Sequence, residues 1–296
     1  MKDIICIGHV TLDKIVTPQQ EVYMPGGTTY YFAHGINSLL RSHASGVTFG
    51  LIASLAEGEM KAVDDMRQAG IDVSVVPSRH TVFFENIYGE NQNDRRQRVR
   101  AKADPFTLES IRDTEARYIC LGSLLADDFP LDVVRHLSAH GTIVMDAQGF
   151  LRKVRGEQVF ACDWADKLEF FRYIDILKVN EHEVRTLTGI DDLHAAARQL
   201  AAWGISEVLL TLGSEGSIVL AEDTFYDIPP IPPRQVVDAT GCGDTFTMGY
   251  VYRRVQGASP RDAALFASAV SSIKLEASGP FRDTEAEAMQ RIADII

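Results

Sequence analysis

The stretch VVDATGCGDTFTMGYVYRRV, residues 236–255, carries the strongest signal in the chain. Gly241 and Gly243 stand just before a helical pattern of Phe246, Gly249, Tyr250 and Val251. That order predicts a helix over 243–255, with the N–H groups of 241–244 at its N-terminus and without intrahelical acceptors. Unpaired amides and the helix dipole attract an anion, and glycine lets a phosphate come close to the backbone. Asp244 falls inside this cradle. A carboxylate beside a phosphate is electrostatically awkward unless it takes the proton of an attacking hydroxyl. Taken alone, the same Asp serves equally well as a helix N-cap.

Working outward from this segment, short apolar runs alternate with helical patterns. The strand candidates are 4–8, 47–53, 117–122, 142–146, 174–180 and 207–213. Helical spacing covers 57–69, 129–140 and 191–203. Continuous apolar strands between helices predict an α/β fold: a mostly parallel central sheet with helices on both faces. Such sheets hold ligands beyond the carboxyl ends of their strands. Two stretches break the rhythm, KIVTPQQEVYMPG (14–26) and residues 72–102, which read as antiparallel β pieces forming a small β lid. The expected division is a core of 1–13, 32–71 and 103–296 and a lid of 14–31 and 72–102. The prolines of IPPIPPRQ (228–235) form an extended connector ahead of the glycine segment.

Composition excludes several classes. The formal net charge is −12, so nucleic acid is not an expected partner. No window approaches the roughly 20 apolar residues of a spanning helix, and no membrane partner is expected. Cys6, Cys120, Cys162 and Cys242 are widely spaced without a C-x-x-C pair, which argues for reduced thiols and a cytoplasmic setting. There is no G-x-x-x-x-G-K-[ST], and no G-x-G-x-x-G after the first strand. Thr186 breaks the H-E-x-x-H pattern that His182 and Glu183 would begin.

The segment Asp238-Ala239-Thr240-Gly241-Cys242-Gly243-Asp244 resembles the C-terminal signature of the ribokinase-like (PfkB) carbohydrate kinases, usually D-[ST]-x-G-A-G-D. Ala239 and Cys242 depart from the commonest residues. KVNEHEVRTLTG (178–189) is similar to the family's N-x-x-E motif at Asn180 and Glu183, and VLLTLGSEGSIVL (208–220) to its T-x-G-x-x-G at Thr211, Gly213 and Gly216. The resemblance runs from Gly8 to about Pro280. It implies a ribokinase-like fold and an ATP-dependent kinase. Asp244 would be the base and 241–243 the anion hole, with Glu183 holding Mg2+ through water alongside Asn180. Thr211, Gly213 and Gly216 would touch ATP. Asp238 would lie at the family's monovalent-cation loop, which leaves room for K+. Asp13 would bind substrate hydroxyls, with Gly26 and Gly27 as the lid hinge. Tyr31 stands where relatives commonly carry a sugar-binding Asn. Many relatives form homodimers through the lid. By their own local pattern, Asn180 and Glu183 also read as a capping box, and Thr211–Gly216 as a hairpin turn.

FENIYG (84–89), AKADPFT (101–107) and DAQGFLR (146–152) look similar to a branch associated with myo-inositol kinase activity. The expected acceptor is therefore a small sugar or polyol, with a cyclitol preferred and Glu85 and Asn86 as polar lid residues. Arg95, Arg96, Arg98 and Arg100 support a competing reading, a phosphate clamp in a sugar-phosphate kinase. A non-catalytic nucleotide- or sugar-binding module on the same fold is the alternative from outside enzymology.

Overall fold

The apolar run KDIICIGH becomes β1 (Lys2–His9), buried from Ile4 onward. It is flanked on both sides by parallel partners, so both its faces must be covered. The computed structural model describes residues 1–18, 20–88 and 95–295, except the side chains of 88, 95 and 96. Its other strands begin with β2 (Thr11–Val16), β3 (Glu21–Gly26), β4 (Phe49–Leu55), β5 (Val73–Pro77), β6 (Val82–Tyr88) and β7 (Arg95–Ala101). There follow β8 (Ala116–Gly122), β9 (Thr142–Asp146), β10 (Arg152–Arg155), β11 (Gln158–Ala161), β12 (Ile176–Asn180), β13 (Glu207–Thr211), β14 (Ser217–Ala221) and β15 (Thr224–Ile228). The helices are α1 (Thr28–Ser42), α2 (Met60–Gln68), α3 (Leu131–Ser138), α4 (Lys167–Phe170), α5 (Glu181–Thr188), α6 (Leu193–Ala202), α7 (Cys242–Val255), α8 (Pro260–Leu275) and α9 (Glu285–Ala293). Among the described residues, no helix is long and apolar enough to cross a membrane.

Nine strands form the large sheet, in the order β15-β14-β13-β12-β9-β8-β1-β4-β5. All its pairings from β13 to β5 are parallel, and β14 and β15 add an antiparallel edge. Strand alternation sends Ile4, Cys6, Leu51 and Leu209 to one face, against α1, α2, α7 and α8. Ile5, Ile7, Leu177 and Leu210 go to the other, against α3, α5 and α6. This is the ribokinase-like α/β architecture, with helices on both faces of a mostly parallel sheet.

A second, six-stranded sheet runs β10-β11-β7-β6-β2-β3. Only Val10 separates β1 from β2, so the chain passes directly from one sheet to the other. Val82, Phe84, Val99, Leu124 and Leu125 form the small core beneath it. Its membership differs from the expected lid in three places. Residues 73–77 pair in parallel with β4 and close the edge of the large sheet. Residues 152–161 supply the hairpin β10–β11, which joins β7. From Thr28 onward the chain is already α1. A β-branched run such as VSVV does not reveal which sheet will take it, and the charge-rich hairpin has little apolar pattern to read. The loop-forming run of residues 91–94, expected from its Asn and Asp content, lies outside the described residues.

Gly8 marks where β1, β8 and α1 meet. A Cβ there would lie 2.7 Å from the Gly122 carbonyl oxygen and 2.7 Å from Thr29 Cγ2. Gly8→Ala is expected to cost roughly 1–3 kcal/mol of unfolding free energy, through overpacking against backbone that cannot retreat. Urea denaturation of the purified variant checks this.

Candidate active site

The carboxyl ends of β9, β12 and β13 and the N-terminus of α7 face one cavity of about 890 Å3. Its wall gathers Asp13, Gly27, Asn180, Thr211, Gly213, Gly216, Gly241, Cys242, Gly243 and Asp244. Gly26, Glu183 and Asp238 are not part of that wall. Asn86 and Gln97 of the second sheet line the same cavity, as do Pro230–Pro233 of the connector at its far end.

The floor is an ion pair. Lys178 of β12 and Asp146 of β9 are cross-strand neighbours in register, with Nζ 2.9 Å from Oδ2 and both side chains buried. Burial disfavours the Lys178 ammonium, but Asp146 and Glu183 outweigh it and raise its pKa. The first turn of α7 comes down onto this pair: a Cβ on Gly243 would lie 2.8 Å from Lys178 Nζ. Gly241, the N-cap, has φ +76°, and a Cβ there would overlap the Tyr31 ring. Both glycines are thus required by what they touch. The Cys242 thiol lies 4.0 Å from the Ser271 carbonyl oxygen, and burial pushes its pKa up to about 11, so this residue faces the cavity chiefly through its backbone.

Asp244 sits at the meeting point of these groups. Burial first, then the charge of Asp146, pushes its pKa up to about 6. Lys178, a hydrogen bond with Thr28 and the charge of Arg152 pull the other way and lose. A carboxyl so poised exchanges a proton near neutrality.

Asn180 ends β12 and caps α5. Its Oδ1 accepts from the N–H groups of His182 and Glu183, both at 2.9 Å, and Glu183 Oε2 accepts from Asn180 N–H at 2.8 Å. The capping box is therefore real. Burial and the charge of Asp146 also raise the Glu183 pKa, so two carboxylates crowd the region beside Asn180. Gly216 closes the β13–β14 hairpin, where a Cβ would overlap the Ile228 carbonyl, and Thr211 Oγ1 reaches the Val179 carbonyl at 3.4 Å. Asp13 is held by Thr11, whose hydroxyl donates at 2.7 Å. A Cβ on Gly26 would press on Asp13 Oδ2 at 2.6 Å, so glycine there leaves room for the carboxylate.

Sequence reasoning missed Lys178, Arg152, Thr28 and Gln97. Lys178 had a usable signal, a lone charge inside the buried strand ILKVN. The arginine clamp does not assemble among the described side chains. Arg98 lies 3.6 Å from Glu85 and Arg100 2.8 Å from Glu157, while their strand neighbour Gln97 lines the cavity. The side chains of Arg95 and Arg96 lie outside the described residues.

A family model described as pfkB family carbohydrate kinase matches residues 1–287. The chain belongs to the PfkB family of carbohydrate kinases, and it is a phosphotransferase acting on a hydroxyl acceptor. The cytidine kinase of Thermococcus kodakarensis is 25% identical over 268 residues, 85% of this chain and 88% of that one. A pyrophosphate-dependent kinase in the ribokinase family, complexed with a pyrophosphate analog and myo-inositol, superposes with TM-score 0.84 at 29% identity, over 97% of this chain and 99% of its own. Arabidopsis thaliana ribokinase complexed with ribose and ATP shares the fold, with TM-score 0.74 at 20% identity and 99% of each chain covered.

The raised Asp244 pKa has a consequence for stability. An Asp at 3.8 unfolded and about 6 folded penalises the native state once pH exceeds both values. The penalty is absent below about pH 4, grows through pH 4–6 and is complete above, on the order of 3 kcal/mol at most. Asp244→Asn is therefore expected to be more stable than wild type at pH 8, with the gain shrinking toward pH 4. Denaturant midpoints across that range measure it.

Proposed function

We propose that this kinase phosphorylates a hydroxyl of a small unphosphorylated polyol, a cyclitol such as myo-inositol being the best fit, with Asp244 as general base. The observation that carries the reading is the Asp244 carboxyl, pushed to about 6, at the first turn of α7 between a polar wall and a donor slot. The wall offers Asp13, Asn86 and Gln97, which suit hydroxyl groups. Three cations of the second sheet pair with carboxylates, Lys14 with Glu21, Arg98 with Glu85 and Arg100 with Glu157, while Arg152 of β10 lines the cavity. That favours a neutral acceptor over a sugar phosphate.

The acceptor hydroxyl lies against Asp244, which takes its proton as the oxygen attacks the terminal phosphorus of the donor. The amides of 241–243 bear the charge that develops on the transferring group. Closure of the second sheet over the acceptor, hinged at Gly26 and Gly27, excludes water. The cavity wall carries Asp13, Asp146, Glu181 and Asp244 against Lys178 and Arg152, so an anionic donor needs further positive charge. Mg2+ suits this donor set, because it binds through one or two carboxylates and keeps much of its water. Asn180, Glu183 and Asp146 would hold those waters, and the ion would neutralise donor phosphates. ATP is the donor the family reading favours, with Thr211, Gly213 and Gly216 along its phosphates and ribose. The likeness to a pyrophosphate-dependent kinase supports a second reading, pyrophosphate held at Lys178 and Arg152. The exposed Val22, Tyr23 and Phe160 on the second sheet offer an apolar surface for a homodimer. The cytoplasm, with its ATP and reduced thiols, is the setting that fits.

Turnover is expected with myo-inositol or another free polyol and Mg-ATP, followed as ADP release. Phosphate release from pyrophosphate with the same acceptor would assign the donor to the second reading. Turnover restricted to sugar phosphates would overturn the acceptor. Asp244→Asn is expected to keep acceptor binding and lose turnover by about 10²-fold or more. The wild-type kcat/KM is expected to fall below about pH 6, as protonation removes the base. A binding module without chemistry would show neither effect.

A further inference from the structure

Behind the anion hole lies a second buried ammonium. Lys274 occupies the last turn of α8, and its side chain is fully shielded from solvent. Its Nζ donates to the Asp238 carbonyl oxygen at 2.7 Å and lies 3.2 Å from Asp238 Oδ2. The face of the Tyr31 ring stands 5.8 Å from it. Asp238 is otherwise held by two N–H groups, Thr240 on Oδ1 at 2.9 Å and Gly279 on Oδ2 at 3.4 Å. The amides of Val237 and Asp238 both donate to the Leu275 carbonyl, at 2.8 and 3.2 Å. The turn that leads into Gly241 is thus tied at its base to the end of α8.

Asp238 is the position at which the family resemblance leaves room for K+. A K+ ion replaces its hydration with protein oxygens, carbonyls above all. Here the carbonyl and a carboxylate oxygen of Asp238 already face an ammonium. A second monovalent cation at those oxygens would be pressed against a like charge that is itself fully shielded from water. The residues present do not fit the ion. They fit a cation the chain carries itself.

We propose that Lys274 is an internal monovalent cation: it holds the Asp238–Gly241 turn so that the amides of 241–243 face the transferring phosphoryl, and it makes this kinase independent of K+. The proposal rests on the reading of those amides as the anion hole. Lys274 does not line the cavity; it is a positioning residue, acting through the turn. Tyr31 belongs to the same device. Its ring fills the space between the ammonium and Gly241, so it is occupied in packing at the position where relatives commonly place a sugar-binding Asn. A tethered ammonium is always in place, whereas a free ion must be recruited from solution.

The test compares wild type, Lys274→Ala and Lys274→Met in choline, potassium, ammonium and ethylammonium chlorides at one ionic strength, reading melting temperature and turnover. Wild type is expected to be indifferent to the cation in both. Lys274→Ala opens a space for an ion; it is expected to lose about ten- to hundredfold in turnover in choline, as supporting residues of an active centre do. Potassium, ammonium or ethylammonium should restore much of that loss and raise the melting temperature. Lys274→Met fills the space with an apolar stem and is expected to resist rescue. Stimulation of wild type several-fold by potassium over choline overturns the proposal. So does a folded Lys274→Ala that ignores cations in both readouts. Should Lys274→Ala fold in no salt, the wild-type response alone decides. Wild type without turnover on any donor and acceptor would sink the kinase assignment of the site, and the melts would still decide the internal cation.

Discussion

The pairing of Lys178 with Asp146 is the constraint on which the site is built. The two residues stand side by side on parallel strands, at the sheet end where α/β folds bind ligands. Neither charge is tolerable there alone, since an unpaired buried ion costs several kcal/mol. Together they tune the proton affinities of two buried neighbours. Burial first and Asp146 second raise Asp244 and Glu183, and Lys178 lowers both. Asp244 settles at about 6 because burial and one carboxylate outweigh the opposing groups. Its basicity is a property of β9 and β12 as much as of α7.

The glycines of the α7 signature follow from the same geometry. Gly243 has no side chain because the Lys178 ammonium occupies the volume a Cβ would point toward. Gly241 has none because the Tyr31 ring lies there and its φ is +76°. The turn before α7 is wedged between two buried ammoniums, Lys178 on the cavity side and Lys274 behind, with the Tyr31 ring as spacer. Phosphate affinity at a helix N-terminus is general. What this chain adds is rigidity, since each bonded atom of the turn is held by a group that is itself packed.

Much of this was legible in the sequence, and the limits have physical causes. The α7 segment could be read because glycine placement and helix initiation are local. The parallel sheet could be read because strands buried on both faces are apolar throughout. Asn180 and Glu183 form the capping box, and the proposed hydrated Mg2+ would not compete with it, because that ion needs only its waters held. Residues 73–77 were given to the lid, because a two-residue period says nothing about which neighbour a strand will choose, and 152–161 fell within the expected core, because that charge-rich hairpin has little apolar pattern. Alternation along β7 did separate Arg98 and Arg100 from Gln97. It could not say which set would face the cavity. Lys178 and Lys274 were passed over because a lysine in a strand or helix is by default read as solvated. Only the third dimension supplies the carboxylate that holds it inside.

The division of charge within the cavity bears on acceptor choice. In the proposed arrangement the donor lies against Lys178, Arg152 and the amides of α7, groups that suit phosphate. The acceptor wall carries Asp13 and two neutral amides, Asn86 and Gln97, the latter donating to the former at 3.0 Å. An acceptor phosphate placed on that wall would face the carboxylate of Asp13 and would have to draw Arg98 or Arg100 away from its own acidic partner. Each such rearrangement exchanges an existing ion pair for a new one and gains little. A ring of hydroxyls asks for no rearrangement: it donates to Asp13 and exchanges hydrogen bonds with the amide pair. The proposed preference for a neutral polyol therefore rests as much on the ion pairs of Arg98 and Arg100 as on any group that would touch the ligand.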